Sequence, residues 1–272
     1  LTGMAGDPPG TPAPVLAGCE PEYPPYCLVT PDGSAAGFSV DLLSAALAAM
    51  NRTATFRIGL WADLRTDLAA GKLDALPLVG RTPEREALYD FTFPYLTMHG
   101  VIVVRSGTPG IRTPQDLNGR RVAVMRGDNA EEYLRRANLG AVIVPRPSCD
   151  VALLELSRGE HDAVVIQKLV AYQLFSQHQI RNLVPAGPPL ADYKQSFCFA
   201  VRKGDTALLA LLNEGLSIVI ADGTYRNLQA KWFSTLKTEG PVSRRIVVGV
   251  SLNLPPYSFL NDRGQPEGLF VD

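Results

Sequence analysis

The chain has 272 residues, of which 46% are hydrophobic and 19% charged, with a net charge of −1 at pH 7. That balance is ordinary for a globular protein with a large core, gives no electrostatic case for nucleic acid or a membrane surface as partner, and leaves the longest apolar runs far short of the roughly 20 residues of a membrane-spanning helix. Three scattered histidines and four cysteines without a CxxC spacing argue against a metal site, and no cofactor or catalytic motif appears: there is no Gly-rich phosphate loop and no Ser/His/Asp or Cys/His arrangement.

Residues 1–14, LTGMAGDPPGTPAP, are Gly/Pro-rich and read as a flexible leader. Val15–Gly18 reads as a strand, Pro24-Pro25-Tyr26 bends the chain, and Tyr26–Val29 resumes as a strand into the Pro31-Asp32-Gly33 turn. Leu42, Leu43, Ala46, Leu47 and Met50 recur at helical spacing, with Ser39 or Asp41 as the expected cap. The pattern then predicts strand 53–58, helix 61–71, strand 73–78 and a helical turn at 83–88. Beyond Gly100 it predicts strands at 100–104, 121–124, 141–144, 163–166 and 197–201. Between and after these it predicts helices at 113–117, 129–136, 150–157 (capped by Ser148), 169–175, 205–222 (capped by Asp205 and stopped by Gly223) and 225–233. Strand–helix alternation points to an α/β protein with mostly parallel sheets, and the two series 15–95 and 100–185 to two lobes.

The four cysteines, Cys19, Cys27, Cys149 and Cys198, leave two readings open. An even count fits an oxidising compartment, with bridges Cys19–Cys27 around the Pro-Pro-Tyr turn and Cys149–Cys198 across the fold. The alternative is four buried free thiols.

A repeat organises the chain. Ala17–Asp41 and Val248–Asp272 align without a gap at an offset of 231 residues, with eight identities: Gly18/Gly249, Pro24/Pro255, Pro25/Pro256, Tyr26/Tyr257, Gly33/Gly264, Gly37/Gly268, Val40/Val271 and Asp41/Asp272. The identities are residues that set backbone shape and caps. The expectation is one complete unit, a linker at 240–245, and the first strand and turn of a second unit at 246–272.

The segments PPYCLVTPDGSAAGFSVDLL (24–43), LAAGKLDALP (68–77), RTPEREALYDFTFPY (81–95), TPQDLNGRRVAVMRGD (113–128), LSRGEHDAVV (156–165) and GTYRNLQAKWF (223–233) resemble, in order and spacing, the family 3 extracellular solute-binding proteins. The resemblance implies the type II periplasmic-binding-protein fold, a Venus flytrap of two α/β lobes joined by two connecting strands, with a ligand in the cleft. It implies a flytrap over 15–239, with lobe 1 at about 15–96 and 198–239, lobe 2 at about 97–197, and crossovers near Tyr95–His99 and Tyr193–Phe197.

The resemblance also assigns candidate ligand-binding residues. Arg85, in the TPER motif, corresponds to the arginine that holds a ligand's α-carboxylate, since a guanidinium fork matches a planar carboxylate bidentately; the plainer alternative is a surface arginine paired with Glu84 or Glu86. Trp61 and Tyr23 correspond to aromatic walls of the pocket, or are core packing. Glu20 falls at a position where a polar or acidic side chain meets the ligand, or is a solvated loop acid; the second copy has Ser251 there. Gly80 stands where a ligand-binding threonine is expected, and Gln167 where an aspartate receives the α-ammonium, which puts a zwitterionic amino acid in doubt and leaves another carboxylate open. Arg126 and Asn129 flank a predicted helix start and can donate to an anion, or merely cap that helix.

Tandem flytraps resemble the periplasmic part of membrane-spanning sensor histidine kinases. The expected role is therefore a periplasmic sensor domain that binds a small amino acid or other carboxylate, signals by lobe opening and closing, adjoins a second flytrap and works in a homodimeric inner-membrane receptor. The alternatives are the binding component of an amino-acid transporter, or a flytrap-fold enzyme or fusion such as a dehydratase or lytic transglycosylase.

Overall fold

In chain order, β1 (Val15–Cys19) leads into a small antiparallel meander of β2 (Glu22–Tyr23), β3 (Cys27–Val29) and β4 (Ala35–Ala36), and then α1 (Phe38–Ala49), β5 (Ala54–Ile58), α2 (Trp61–Ala69), β6 (Ala75–Gly80), α3 (Pro83–Glu86) and β7 (Tyr89–Phe91). The long strand β8 (Leu96–Arg105) is followed by a 3-10 turn at Pro114–Leu117, β9 (Arg121–Met125), α4 (Asn129–Ala137), β10 (Val142–Arg146), α5 (Cys149–Arg158), β11 (Ala163–Gln167), α6 (Lys168–Gln177) and β12 (Leu183–Ala186). A second long strand, β13 (Lys194–Arg202), returns the chain to α7 (Thr206–Ala221) and α8 (Thr224–Phe233). These elements belong to a computed structural model that describes residues 13–234 and, as backbone, three short strands: β14 (Asn253–Leu254), β15 (Ser258–Leu260) and β16 (Pro266–Glu267). The expected leader up to residue 12, the linker 240–245 and the remainder of 246–272 lie outside the described residues.

The first of two compact units, Leu1–Thr235, is built on one mixed sheet of order β10-β9-β11-β8-β13-β6-β1-β5, with β12 paired to β8 and β7 to β13. The pairs β1–β5, β1–β6, β9–β10 and β9–β11 are parallel. The sheet is mixed rather than mostly parallel because β8 and β13 run antiparallel to their neighbours. Leu96–His99 of β8 pairs with Lys194–Phe197 of β13. These two strands join an α/β lobe around β5-β1-β6 to a second around β10-β9-β11, which is the two-lobed flytrap architecture.

Alternation along β8 shows how lobe 2 is covered on both faces. Val101 and Val103 join one apolar cluster with Leu153, Leu156 and Leu174, whereas Ile102 and Val104 join the other with Leu117, Val122 and Leu134. In lobe 1, α1 buries Leu42, Leu43, Ala46 and Leu47. An aromatic cluster ties α8 to this helix: Phe38 lies 5.0 Å from Phe233 and 5.6 Å from Tyr225.

Three expectations are corrected. Helix α1 starts at Phe38, so Ser39 and Asp41 sit inside its first turn and do not cap it. The loop carbonyls of Pro25 and Tyr26 take the Phe38 and Ser39 N–H groups instead, and Asp41 accepts from Lys231 Nζ at 2.7 Å and Trp232 Nε1 at 2.8 Å. Ser148 precedes α5 but makes no side-chain capping bond. The expected bridges Cys19–Cys27 and Cys149–Cys198 are not formed, and all four cysteines are buried free thiols. Cys19 Sγ lies 3.7 Å from the Leu28 carbonyl, and Cys149 Sγ faces Met125 Sδ at 4.0 Å. Cys198 is on β13, paired opposite Val79. By contrast, Asp205 caps α7 as expected, accepting from Leu208 N at 3.1 Å.

The second unit, Leu236–Asp272, holds the antiparallel sheet β14-β15-β16. Its register pairs Asn253 with Phe259, Leu254 with Ser258, Phe259 with Glu267 and Leu260 with Pro266. Subtracting 231 from each number gives Glu22 with Leu28, Tyr23 with Cys27, Leu28 with Ala36 and Val29 with Ala35, the pairings of β2-β3-β4.

Candidate functional site

The cleft is walled by the carboxyl ends of β1 and β6 and the first turns of α2 and α3 on lobe 1, and by the β9–α4 loop on lobe 2, the usual ligand position in such sheets. A cavity of about 10 Å³, room for roughly one water molecule, is lined by Glu20, Tyr23, Trp61, Leu78, Gly80, Arg85, Asp128, Asn129 and Phe197.

Arg85 is 1% exposed. Thr82 starts α3 by accepting from Arg85 N at 3.3 Å, and Pro83 occupies the tolerated first position. The guanidinium lies over the Trp61 ring, 5.4 Å from its centroid. It donates to the Gly80 carbonyl at 3.2 Å, the Gly127 carbonyl at 3.1 Å and Glu132 Oε1 at 3.0 Å. Arg85 is thus neither a surface arginine nor a partner of Glu84 or Glu86. Glu84 pairs with Arg136 of lobe 2 at 3.3 Å, and Glu86 with Arg81 at 2.6 Å.

Gly127 is the meeting point of the lobes. Trp61 Nε1 donates to its carbonyl at 2.8 Å, and Arg65 Nη1 donates to the same oxygen. Its φ of +71° lies in the left-handed region, and a Cβ there would stand 2.8 Å from Arg65 Nη1. At Gly80 the constraint is close approach: a Cβ would meet Asn129 Nδ2 at 2.2 Å, so the threonine expected here has no room in this arrangement.

The cavity wall is acidic. Burial pushes the Glu20 carboxyl well up, the Asp128 charge adds to the rise, and Arg85 opposes it. Burial likewise raises Asp128, with Arg85 and two backbone N–H groups opposing. The Tyr23 hydroxyl and both amide atoms of Asn129 are buried without a hydrogen-bond partner and belong to residues that line the cavity.

The structure therefore gathers Glu20, Tyr23, Trp61, Gly80, Arg85 and Asn129 around one cavity. It does not bring Arg126 or Gln167 there. Arg126 follows the buried Met125 and is exposed, and the helix start beside it is capped by Asp128, which accepts from Ala130 N at 3.4 Å. Gln167 is fully buried at the end of β11, its amide without a partner, away from the cavity lining. Sequence reasoning missed Asp128, Glu132, Leu78 and Phe197. Among the described residues no three His, Cys, Asp or Glu side chains gather where they could hold a metal.

The chain is 32% identical over 228 residues to the L-arginine-binding protein of Pseudomonas aeruginosa, covering 81% of this chain and 88% of that one. It is 30% identical over 222 residues to the L-cystine-binding protein TcyJ of Escherichia coli K12, covering 80% and 82%. Among solved structures, a histidine kinase sensor domain with similarity to periplasmic binding proteins superposes with a TM-score of 0.77 at 32% identity, covering 80% of this chain and 95% of that one. An ancestral arginine-binding protein bound to arginine gives 0.75 at 28% identity, covering 82% and 99%. The profile of the bacterial extracellular solute-binding proteins, family 3, matches residues 15–235, and the chain belongs to that family.

Proposed function

We propose that residues 15–239 form a sensor flytrap that takes a small carboxylate-bearing solute, an amino acid or a related acid, in the interlobe cleft. On this reading it is followed in the same polypeptide by a second flytrap and serves as the periplasmic input of a homodimeric, membrane-anchored histidine kinase. The observation that carries the sensor reading is the meander β14-β15-β16, which repeats the pairing of β2-β3-β4 residue for residue, 231 positions on. A transport-type binding protein needs one flytrap; a second copy of its opening meander suits a tandem receptor. The likeness to a histidine kinase sensor domain supports the same reading. The cavity supports binding: Arg85, buried on its wall, is an anchor for a carboxylate.

The test uses the full-length gene product in membranes. Incorporation of phosphate from ATP into the receptor, altered by an added solute from a panel of amino acids and carboxylic acids and lost in Arg85→Ala, is the expected result. A full-length product without a membrane helix or kinase activity overturns the sensor reading. In that case the named relatives, which bind arginine and cystine, favour the transport alternative, checked by solute uptake in a deletion strain.

A further inference from the structure

Arg85 already holds a carboxylate, and that carboxylate belongs to the chain. Glu132, on α4 of lobe 2, places Oε1 3.0 Å from Arg85 Nε and 3.5 Å from Arg65 Nη1, while Thr82 Oγ1 stands 3.4 Å from Oε2. All three partners are on lobe 1. With the Gly80 and Gly127 carbonyls on the two Nη atoms, three of the five guanidinium N–H groups are engaged. One of the N–H groups open to a ligand's carboxylate, that on Nε, therefore already has an oxygen of Glu132 on it. The neighbouring acid cannot replace Glu132, because Glu131 accepts from Gly127 N at 2.7 Å and from Arg135.

Two further observations give this contact a consequence. The cavity behind it is about 10 Å³, against the ~300 Å³ or more of pockets that enclose small organic ligands. Glu132 also pairs with both Arg85 and Arg65, so a second carboxylate entering with Glu132 in place meets a like charge beside its anchor. Glu132 itself retains 18% side-chain exposure, so its carboxylate has solvent to move into.

We propose that Glu132 is a built-in competitor for the ligand-binding guanidinium. Seated on Arg85, it latches the lobes together. A carboxylate ligand has to displace it and is held with the lobes further apart than in the latched form, so binding widens the cleft where a capture protein would narrow it. The inference rests on the reading of the cleft as the ligand site and specifies how that site is regulated.

The experiment measures the full chain by small-angle X-ray scattering and by hydrogen exchange of the Gly127–Tyr133 backbone, with L-arginine and L-cystine as probes whose affinities are read by calorimetry. Glu132→Gln, without probe, is expected to raise the radius of gyration and speed exchange. It is also expected to tighten probe binding about tenfold, the size of one lost charge-assisted competitor. Arg65→Gln, which weakens the same latch from lobe 1, should move the scattering in the same direction and keeps the test intact if one variant folds poorly. Probe added to the wild type should expand it. Unchanged scattering and exchange in both variants, or contraction of the wild type by probe, overturns the latch. If no probe binds any form, the ligand reading fails for these probes, while the scattering of the unliganded variants still decides whether Glu132 holds the lobes.

Discussion

The Trp61 indole N–H donates to the Gly127 carbonyl at 2.8 Å across the cleft, linking the first turn of α2 to the loop before α4. Trp61 is 5% exposed and also stacks on Arg85, so one side chain both walls the cavity and joins the lobes. Trp61→Phe keeps most of the ring and loses one donor. The expected cost is about 1 kcal/mol in urea unfolding, whereas Trp61→Ala, which also empties the ring's volume, should cost about 3–5 kcal/mol. Equal losses in the two variants would show that the hydrogen bond dominates and the packing argument is wrong.

The same carbonyl depends on a backbone shape that only glycine adopts freely. Gly127→Ala places a Cβ in the left-handed region and against Arg65 Nη1. A penalty of about 1–2 kcal/mol is expected from the conformation alone. The midpoint of chemical unfolding should fall accordingly, and the side chains of Arg65 and Trp61 should lose their common acceptor. An alanine variant as stable as the wild type would show that the loop re-forms without it.

Glu20 gives a pH dependence with a definite sign. Its carboxyl is raised in the folded protein, first by burial and then by Asp128. A group that is more readily protonated in the native state makes folding take up protons, so its contribution to stability falls as pH rises. The loss begins near the ordinary value of 4.5 and continues up to the raised folded value. The carboxylates lowered by ion pairs and hydrogen bonds, such as Asp90 and Glu155, act in the opposite sense at lower pH, so the comparison must be with Glu20→Gln. The melting temperature of the wild type is expected to drop relative to that variant from about pH 4.5 upward. A difference that stays flat would remove Glu20 from the buried acidic wall.

How much of this was legible in the sequence depends on the length of the signal. Strands β6, β9, β11 and β13 and the helices carry apolar runs long enough to read. The strands β2, β4, β7 and β12 have two to four residues each, too few for a period to register, and form because neighbouring strands offer paired backbone. The cavity residues Arg85, Trp61 and Tyr23 were legible through motif position. Glu132 was not, because its role exists only when α4 of lobe 2 is brought against α3 of lobe 1, a juxtaposition no local pattern encodes. Arg126 was misplaced because it lies one residue beyond β9, where the buried run Val122–Met125 ends and the chain turns into the loop before α4.

The docking of α8 rests on aromatic packing that can be tested directly. Phe38 is 1% exposed and contacts Tyr26, Tyr95, Tyr225 and Phe233 at ring-centroid distances of 5.0–6.5 Å. Phe38→Ala should cost about 3–5 kcal/mol. It should also release α8 before the rest of the unit, since the helix has no fully buried residue of its own. Hydrogen exchange that accelerates first over Thr224–Phe233 is the expected signature; uniform acceleration would place the helix in the same cooperative unit as the sheet.

The thiols provide the last prediction. Burial pushes Cys198 up to about 12 and raises Cys149 well above the ordinary thiol range, while Cys27 is raised well above it first by its hydrogen bond with the Cys19 side chain and then by burial. Cys19 alone is lowered, chiefly because the Cys27 side chain hydrogen-bonds to it. The thiolate is the species that reacts, and all four sulfurs are shielded by the folded protein. Native protein at pH 8 is therefore expected to resist a thiol-specific reagent, with Cys19 the first to react as the domain opens and Cys198 among the last. The unfolded, unreduced chain should titrate four thiols. Two would mean that one of the bridges read from the even cysteine count forms after all. The position of the alkylated peptides, read by mass spectrometry, then separates Cys19–Cys27, which would tie the end of β1 to the meander that carries Tyr23, from Cys149–Cys198, which would require α5 and β13 to approach one another.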